Sequence, residues 1–258
     1  MAETAPGIVP TTVPDTAPEG RPGPDFRPLY TQVRDLIVGR VTDGTWKAGE
    51  LLPSEMRLAV EFGVSQGTVR KALDELEAQN LIVRRQGKGT FIATHSPQRA
   101  LFHFFHLVDD DGERQLPISH GIELSRGRAT REEERRLDLA AGARVVHIER
   151  VRDFDGRPVI KELIVIGAAA FPNFGRAGDL PNTLYTLYEE RYGVIIHRAV
   201  EHLRAVAATA DDARDLDVAK GAPLLEIDRL ALSPDGRPVE WRVSRCDTEN
   251  HRYLSNLE

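Results

Sequence analysis

The chain has 258 residues, 41% of them hydrophobic and 29% charged, with a formal net charge of −6. That composition excludes collagen-like, coiled-coil and wholly disordered classes, and the length predicts about two domains. No run approaches the roughly 18 apolar residues of a membrane span, no basic-then-apolar start marks a secretory signal, and the single cysteine, Cys246, excludes an internal disulfide framework, so a reducing cytoplasm is the expected compartment.

Residues 1–25 hold Pro6, Pro10, Pro14, Pro18, Pro22 and Pro24 among small and polar residues, with almost nothing to bury. This segment predicts a disordered tail. A helix follows Pro28, with Leu29, Val33, Leu36 and Ile37 at helical spacing, and fades near Gly44. Pro53 or Ser54 opens a second helix with Met56, Ala59 and Phe62 on its inner face. Gly63 supplies the positive-φ stop, and Ser65 caps a third helix whose stripe is Val69, Ala72, Leu73 and Leu76.

Two helices joined by a glycine turn form a helix-turn-helix pattern. Such a motif presents small and basic residues near the start of its second helix, where it enters a major groove. Ser65, Gln66, Gly67, Thr68, Arg70 and Lys71 meet that demand. An exposed Gly67 costs about 1 kcal/mol against alanine, which makes sense where backbone approaches DNA. Leu81 to Arg85 then predicts a strand, Gln86-Gly87-Lys88-Gly89 a tight turn, and Thr90 to Ala93 a return strand. This is a basic-tipped wing.

The net charge of the whole chain argues against a nucleic-acid partner, but its distribution argues the other way. Gly63–Leu73 and Ala78–Ser96 contain no acid and carry Arg70, Lys71, Arg84, Arg85 and Lys88. A basic face on a domain of low net charge is a nucleic-acid signature. Four segments carry a family likeness: Pro28-Leu29-Tyr30, Gly49 to Glu55, Val64 to Leu73 and Gly87 to Phe91. Together they resemble the winged helix of GntR-family bacterial transcription regulators. That resemblance implies DNA contacts from Tyr30, Ser54, Ser65, Gln66, Gly67, Thr68, Arg70 and Lys88. Lys71, Arg84 and the wing's Gly89 complete the candidate set. The expected boundaries are a winged helix over 26–93 and a polar linker over 94–100, broken by Pro97.

Residues 101–258 contain an internal repeat over 130–166 and 209–246. Thr130 to Ala143 recurs as Thr209 to Ala222, Val145 to Arg150 as Leu224 to Arg229, and Asp155 to Val159 as Asp235 to Val239. Each unit predicts a threonine-capped helix, a strand, an Asp-Gly turn and a return strand. Two units pairing into one antiparallel sheet with helices on it give an α+β domain. Phe102 to Val108 and Ile195 to Val206 supply further strands, and Asn182 caps another helix. In the first hairpin a three-residue loop, Phe154-Asp155-Gly156, pairs Asp153 with Arg157. Arg150, Arg152 and Glu162 then share a face with Val146, Ile148, Ile160, Ile164 and Ile166. Buried charges require partners, so these pair with each other or meet a polar ligand.

This region resembles the UTRA domain of the HutC branch of the same family, which has a chorismate-lyase-like fold. The likeness rests on Arg150-Val151-Arg152, Pro158 to Glu162, Thr183-Leu184-Tyr185, Tyr192-Gly193, Pro238-Val239-Glu240 and Arg252-Tyr253. It implies that Arg150, Arg152, Thr183 and Tyr185 hold the anionic group of a small metabolite, with Glu162 and Glu240 taking its amine or hydroxyls. Arginine forks suit carboxylates, and a helix start adds a favourable dipole. Taken together, the sequence predicts a homodimeric repressor of a double-stranded DNA operator, without cofactor or metal, relieved by that effector. His103 and His106 lie on opposite faces of a strand and cannot readily share an ion. The alternative is a lyase-type enzyme using the arginine–glutamate pocket.

Overall fold

The computed structural model describes residues 27–94, 106–113 and 115–255. The tail, most of the linker, His103 and the front of the strand expected over Phe102–Val108 lie outside them. The head holds three helices, α1 (Leu29–Thr42), α2 (Glu55–Phe62) and α3 (Gln66–Ala78), and a hairpin of β1 (Ile82–Arg85) and β2 (Gly89–Ile92). Gly63 adopts φ 66 and closes α2, and the Ser65 hydroxyl accepts the Thr68 amide to open α3. The expected α3 stripe is buried throughout. The other two helices depart from expectation. Val33, Ile37 and Ala59 are buried as expected, but Leu29, Leu36 and Met56 are exposed, and Val41 and Leu58 complete the core. A helix buries only the stripe that faces its neighbours, and periodicity alone did not separate Leu29, Leu36 and Met56 at its margins from the core positions.

The second region contains β3 (Leu107–Asp109), β4 (Ile118–Arg128), α4 (Arg131–Arg136), β5 (Arg144–Phe154), β6 (Arg157–Gly167), α5 (Leu184–Tyr192), β7 (Arg198–Ala207), α6 (Ala210–Leu216), β8 (Pro223–Leu232), β9 (Pro238–Asp247) and β10 (His251–Tyr253). Six strands form one antiparallel sheet in the order β4-β5-β6-β9-β8-β7, so the two repeat hairpins meet at β6 and β9 in its middle. The repeat helices α4 and α6 both begin with capping boxes, Thr130 with Glu133 and Thr209 with Asp212. In both, the capping carboxylate is also tied to a strand: Glu133 to His147 at 2.6 Å and Asp212 to Arg245 at 2.7 Å.

The first hairpin corrects the expected loop. Phe154 pairs with Arg157 across a two-residue turn in which Asp155 (φ 51) and Gly156 (φ 79) are both left-handed. Both central residues of a tight primed turn require positive φ, and Asp-Gly supplies them. A two-residue turn alone would have turned Arg150 to the other face. It does not, because Asp153 pairs with Pro158 and Arg152 with Ile160, leaving Val159 as an extra bulged residue. The second hairpin repeats the device: Leu232 pairs with Pro238 and Ala231 with Glu240, leaving Val239 extra. Both bulges keep charged residues on the face packed beneath α5.

That front face carries the main core of the region, from Val146, Ile148, Ile164 and Ile166 up to Phe171, Phe174, Tyr185 and Tyr188. Beyond α5 the chain does not enter a strand at Ile195, as expected; β7 begins at Arg198. Ile195 instead joins the buried cluster of the head, with Val33, Ile37 and Val41.

Candidate DNA-binding face and effector cavity

In the head, the starts of α2 and α3 lie side by side. Ser54 and Ser65 cap them, and Gln66, Gly67 and Arg70 are exposed on the outer turn of α3. One carboxylate organises this surface: Glu55 Oε2 accepts from Gln66 Nε2 at 3.1 Å and from Arg70 Nη2 at 2.9 Å. Those bonds, Arg70's above all, hold the Glu55 carboxyl below its ordinary range. Lys71 sits 3.9 Å above the ring centroid of Tyr30, a cation–π contact that joins the start of α1 to α3. The exposed Lys88 tips the wing between Gly87 (φ 71) and Gly89 (φ 110). The φ of Gly89 lies where other side chains are strained, which favours glycine there.

The acid-free stretches of the sequence are therefore not acid-free in space. Glu55 folds against Arg70, and Arg84 forms ion pairs with Asp74 at 2.6 Å and Glu77 at 2.8 Å on α3. The sequence reading missed Glu55, whose only signal was its place in the first turn of α2, facing the start of α3.

In the second region Arg150, Arg152, Glu162, Thr183 and Tyr185 line one cavity, with Arg229, Arg242, Ser244, Cys246 and Tyr253. Its internal volume of about 60 Å³ is several times the roughly 10–15 Å³ that one water needs. Glu162 is its hub. Oε2 accepts from Arg150 Nε at 2.5 Å, and Oε1 lies 3.3 Å from Arg242 Nη1 and 3.8 Å from Arg152 Nη1. Burial by itself would raise the Glu162 carboxyl, but the charges of Arg150, Arg242 and Arg152 outweigh it and hold the group far below the usual range. Burial pushes the Arg152 guanidinium down to about 9, and Arg150 adds repulsion. Even so lowered, it keeps its proton at neutral pH. Burial also pushes the Cys246 thiol up, so the thiol is a neutral wall.

Glu240 lies behind the cavity rather than in it. It is fully buried, pairs with Arg242 at 2.8 Å and accepts from Tyr188 at 2.8 Å and Tyr185 at 3.2 Å. Asn182 does not cap α5, as expected of it. Thr183 is the N-cap residue, and the Asn182 side chain instead accepts from Ser119 and donates to the Pro117 carbonyl at 2.8 Å. Arg150 Nη1 reaches the Asn182 carbonyl at 3.2 Å, which sets a buried cation beside the helix start. Arg229 was missed as a liner. The repeat could have revealed it, since Arg229 stands where Arg150 does in the first unit.

Residues 29–92 match the sequence profile of the bacterial regulatory proteins of the gntR family, and residues 113–252 match that of the UTRA domain. This chain belongs to the GntR family. It is 32% identical over 224 residues to the histidine utilization repressor of Pseudomonas putida, covering 86% of this chain and 89% of that protein. It is 31% identical over 237 residues to the HTH-type transcriptional repressor NagR of Bacillus subtilis, covering 90% and 95%. The ligand-binding domain of a GntR-family regulator from Bordetella bronchiseptica superposes with a TM-score of 0.57 at 32% identity, over 61% of this chain and 99% of that one. PhnF from Mycobacterium smegmatis shares the fold, with a TM-score of 0.52 at 24% identity over 88% and 99%.

GntR regulators bind DNA operators, and their UTRA domains bind small-molecule effectors. The chain is thus a DNA-binding transcription regulator and not the lyase-type enzyme left open by its pocket chemistry. No described helix is long and apolar enough to cross a membrane. No described group of three or more His, Cys, Asp or Glu is arranged to hold a metal.

Proposed function

We propose that this GntR protein is a homodimeric, cytoplasmic repressor that grips a two-fold-related duplex operator with paired winged helices and releases it when a small anionic metabolite fills the front-face cavity. A tail over 1–25, a head over 26–93, a linker over 94–100 and an effector domain over 101–258 divide the labour. Ser65, Gln66, Gly67 and Thr68 read the major groove, with Tyr30, Ser54, Arg70, Lys71 and Arg84 on flanking phosphates, and Lys88 beside Gly89 takes the adjacent backbone or minor groove. Two-fold symmetry of the protein would match two-fold symmetry of the operator.

The observation that carries the effector reading is the convergence of four buried arginines, Arg150, Arg152, Arg229 and Arg242, on one cavity at the start of α5. Arginine forks and a helix start both favour an anion. Thr183 and Tyr185 frame that anion, and Glu162 orients the arginines that hold it. The effector's leverage equals its differential affinity for the DNA-competent and released states. The relatives named as repressors support the sign of the response.

Footprinting on genomic fragments flanking the gene tests the reading. A protected two-fold sequence is expected, and a metabolite of the neighbouring genes should release it. The Arg150→Ala protein should keep operator affinity and lose that release. Failure to retard any native promoter fragment, even in dilute buffer, overturns the proposal.

A further inference from the structure

A separate cavity lies where the head meets the effector region, and we infer that it is a binding site for a small neutral molecule with a one-ring apolar body and a single hydroxyl. Its volume is about 230 Å³. Val41 and Thr42 at the end of α1 form one wall, and Leu139 after α4, Val194 and Ile195 after α5, and Pro238 and Val239 at the start of β9 form the others. It shares no described lining residue with the front-face cavity. An aliphatic cavity of about 150 Å³ stays dry and takes up benzene, so this space and wall suit a substituted ring.

The wall chemistry sets the ligand class. Arg237 is the one charged residue among the described liners; it is exposed and paired with Asp235 at 2.5 Å, and the Ser233 hydroxyl is bonded to the same carboxylate. A charged ligand would therefore give up its hydration with no buried counter-charge among the described liners to replace it, which favours a neutral one. Thr42 supplies the polar contact. Its hydroxyl is buried and has no hydrogen-bond partner among the described residues. Such a hydroxyl is costly, and a ligand hydroxyl, able to donate and to accept, removes that cost. Position gives the site its consequence. Ile195 is packed in the head cluster, and Leu139 and Val239 belong to the effector region. A ligand touching both halves favours the arrangement in which they meet.

The test compares p-cresol with p-xylene, two rings of nearly equal shape, by isothermal titration calorimetry on the full chain. Both should bind. Thr42→Val keeps the shape of the wall and should weaken p-cresol about fivefold, the worth of one net hydrogen bond, without weakening p-xylene. Ala170→Phe fills the space from an exposed lining position and should abolish binding of both; Ala169→Phe, also exposed and lining, replaces it if that variant does not fold. Circular dichroism checks folding, and Thr42→Val alone localises the site if neither filling variant folds. p-Toluate, the same ring with a carboxylate, should show no binding that a filling variant removes. Absence of saturable p-cresol binding, or binding that survives a folded filling variant, overturns the site. An equal effect of Thr42→Val on p-cresol and p-xylene, or p-toluate binding lost on filling, overturns the ligand class. All these outcomes leave the front-face anion site standing, because none of its residues is altered.

Discussion

Arg229 and Arg242 stand directly opposite each other across β8 and β9, both buried. Like charges at cross-strand neighbours are destabilising unless each is separately neutralised. Here the neutralising groups come from two different strands, Glu201 on β7 and Glu240 on β9. In the first repeat unit the corresponding cross-strand pair is Arg150 with Glu162, which neutralise each other. The repeat is thus symmetric in backbone and asymmetric in charge.

Glu240→Gln removes the closest counter-charge of Arg242 and one of the two oxygens that accept from Tyr185 and Tyr188, while keeping shape. Stripping one partner from a buried pair costs about 3–5 kcal/mol. Urea denaturation should show a loss of that size, and a loss under about 1 kcal/mol would contradict the neutralising role.

Acid should unfold the effector domain through Glu162. Its folded carboxyl is held far below the unfolded value of about 4.3. A depressed acid contributes stability that is full above the unfolded value and is lost as pH falls through it toward the folded one. Denaturation midpoints measured from pH 7 to pH 3 should therefore drop below about pH 5. The same series on Glu162→Gln should be flatter, and parallel curves would assign acid sensitivity to other carboxylates such as Glu201.

Glu55 is expected to restrain the DNA-reading surface. Contact of Arg70 or Gln66 with DNA must compete with their bonds to Glu55. Glu55→Gln should raise affinity for random duplex several-fold and narrow the ratio of operator to random binding. An unchanged ratio in fluorescence anisotropy would show that the two side chains do not turn outward.

Arg70→Ala and Lys88→Ala should each flatten the salt dependence of operator binding, because each lost phosphate contact removes about 0.9 from the slope. A slope equal to wild type for either variant would exclude that residue from the interface.

Ile195 links the two halves. It follows α5, which frames the cavity, yet its side chain is buried in the head cluster with Val41. Ile195→Ala should cost about 2–4 kcal/mol if the site cannot collapse. It should also split thermal unfolding into two transitions in calorimetry. A single unshifted transition would show that the contact carries no coupling.

Much of this protein was legible in order of residues. The α3 stripe, the Gly63 stop, the Ser65 cap and the threonine caps of the repeat depend on local contacts, and each formed where its residues predict. The charged face of β5 and β6 was also legible, although by a route the structure amends. A shorter turn and the Val159 bulge change the register by compensating steps, and only parity decides which side chains share a face. Less legible were Leu29, Leu36 and Met56, whose exposure depends on what packs beside α1 and α2. Nor could Asn182 be read correctly, because its side chain finds a better set of partners 65 residues away, at Pro117.

The sequence by itself determined the helix-turn-helix, the wing, the duplicated helix–hairpin unit and the presence of arginine and glutamate on an apolar face. Short-range periodicity, turn chemistry and self-similarity are properties of neighbouring residues. Only the tertiary structure decided how the charges are matched. Glu55 reaches Arg70 because α2 and α3 begin side by side, and Glu201 reaches Arg229 and Glu240 turns away from the cavity toward Arg242 because burial forces each charge to the nearest opposite charge in space, whatever its distance along the chain.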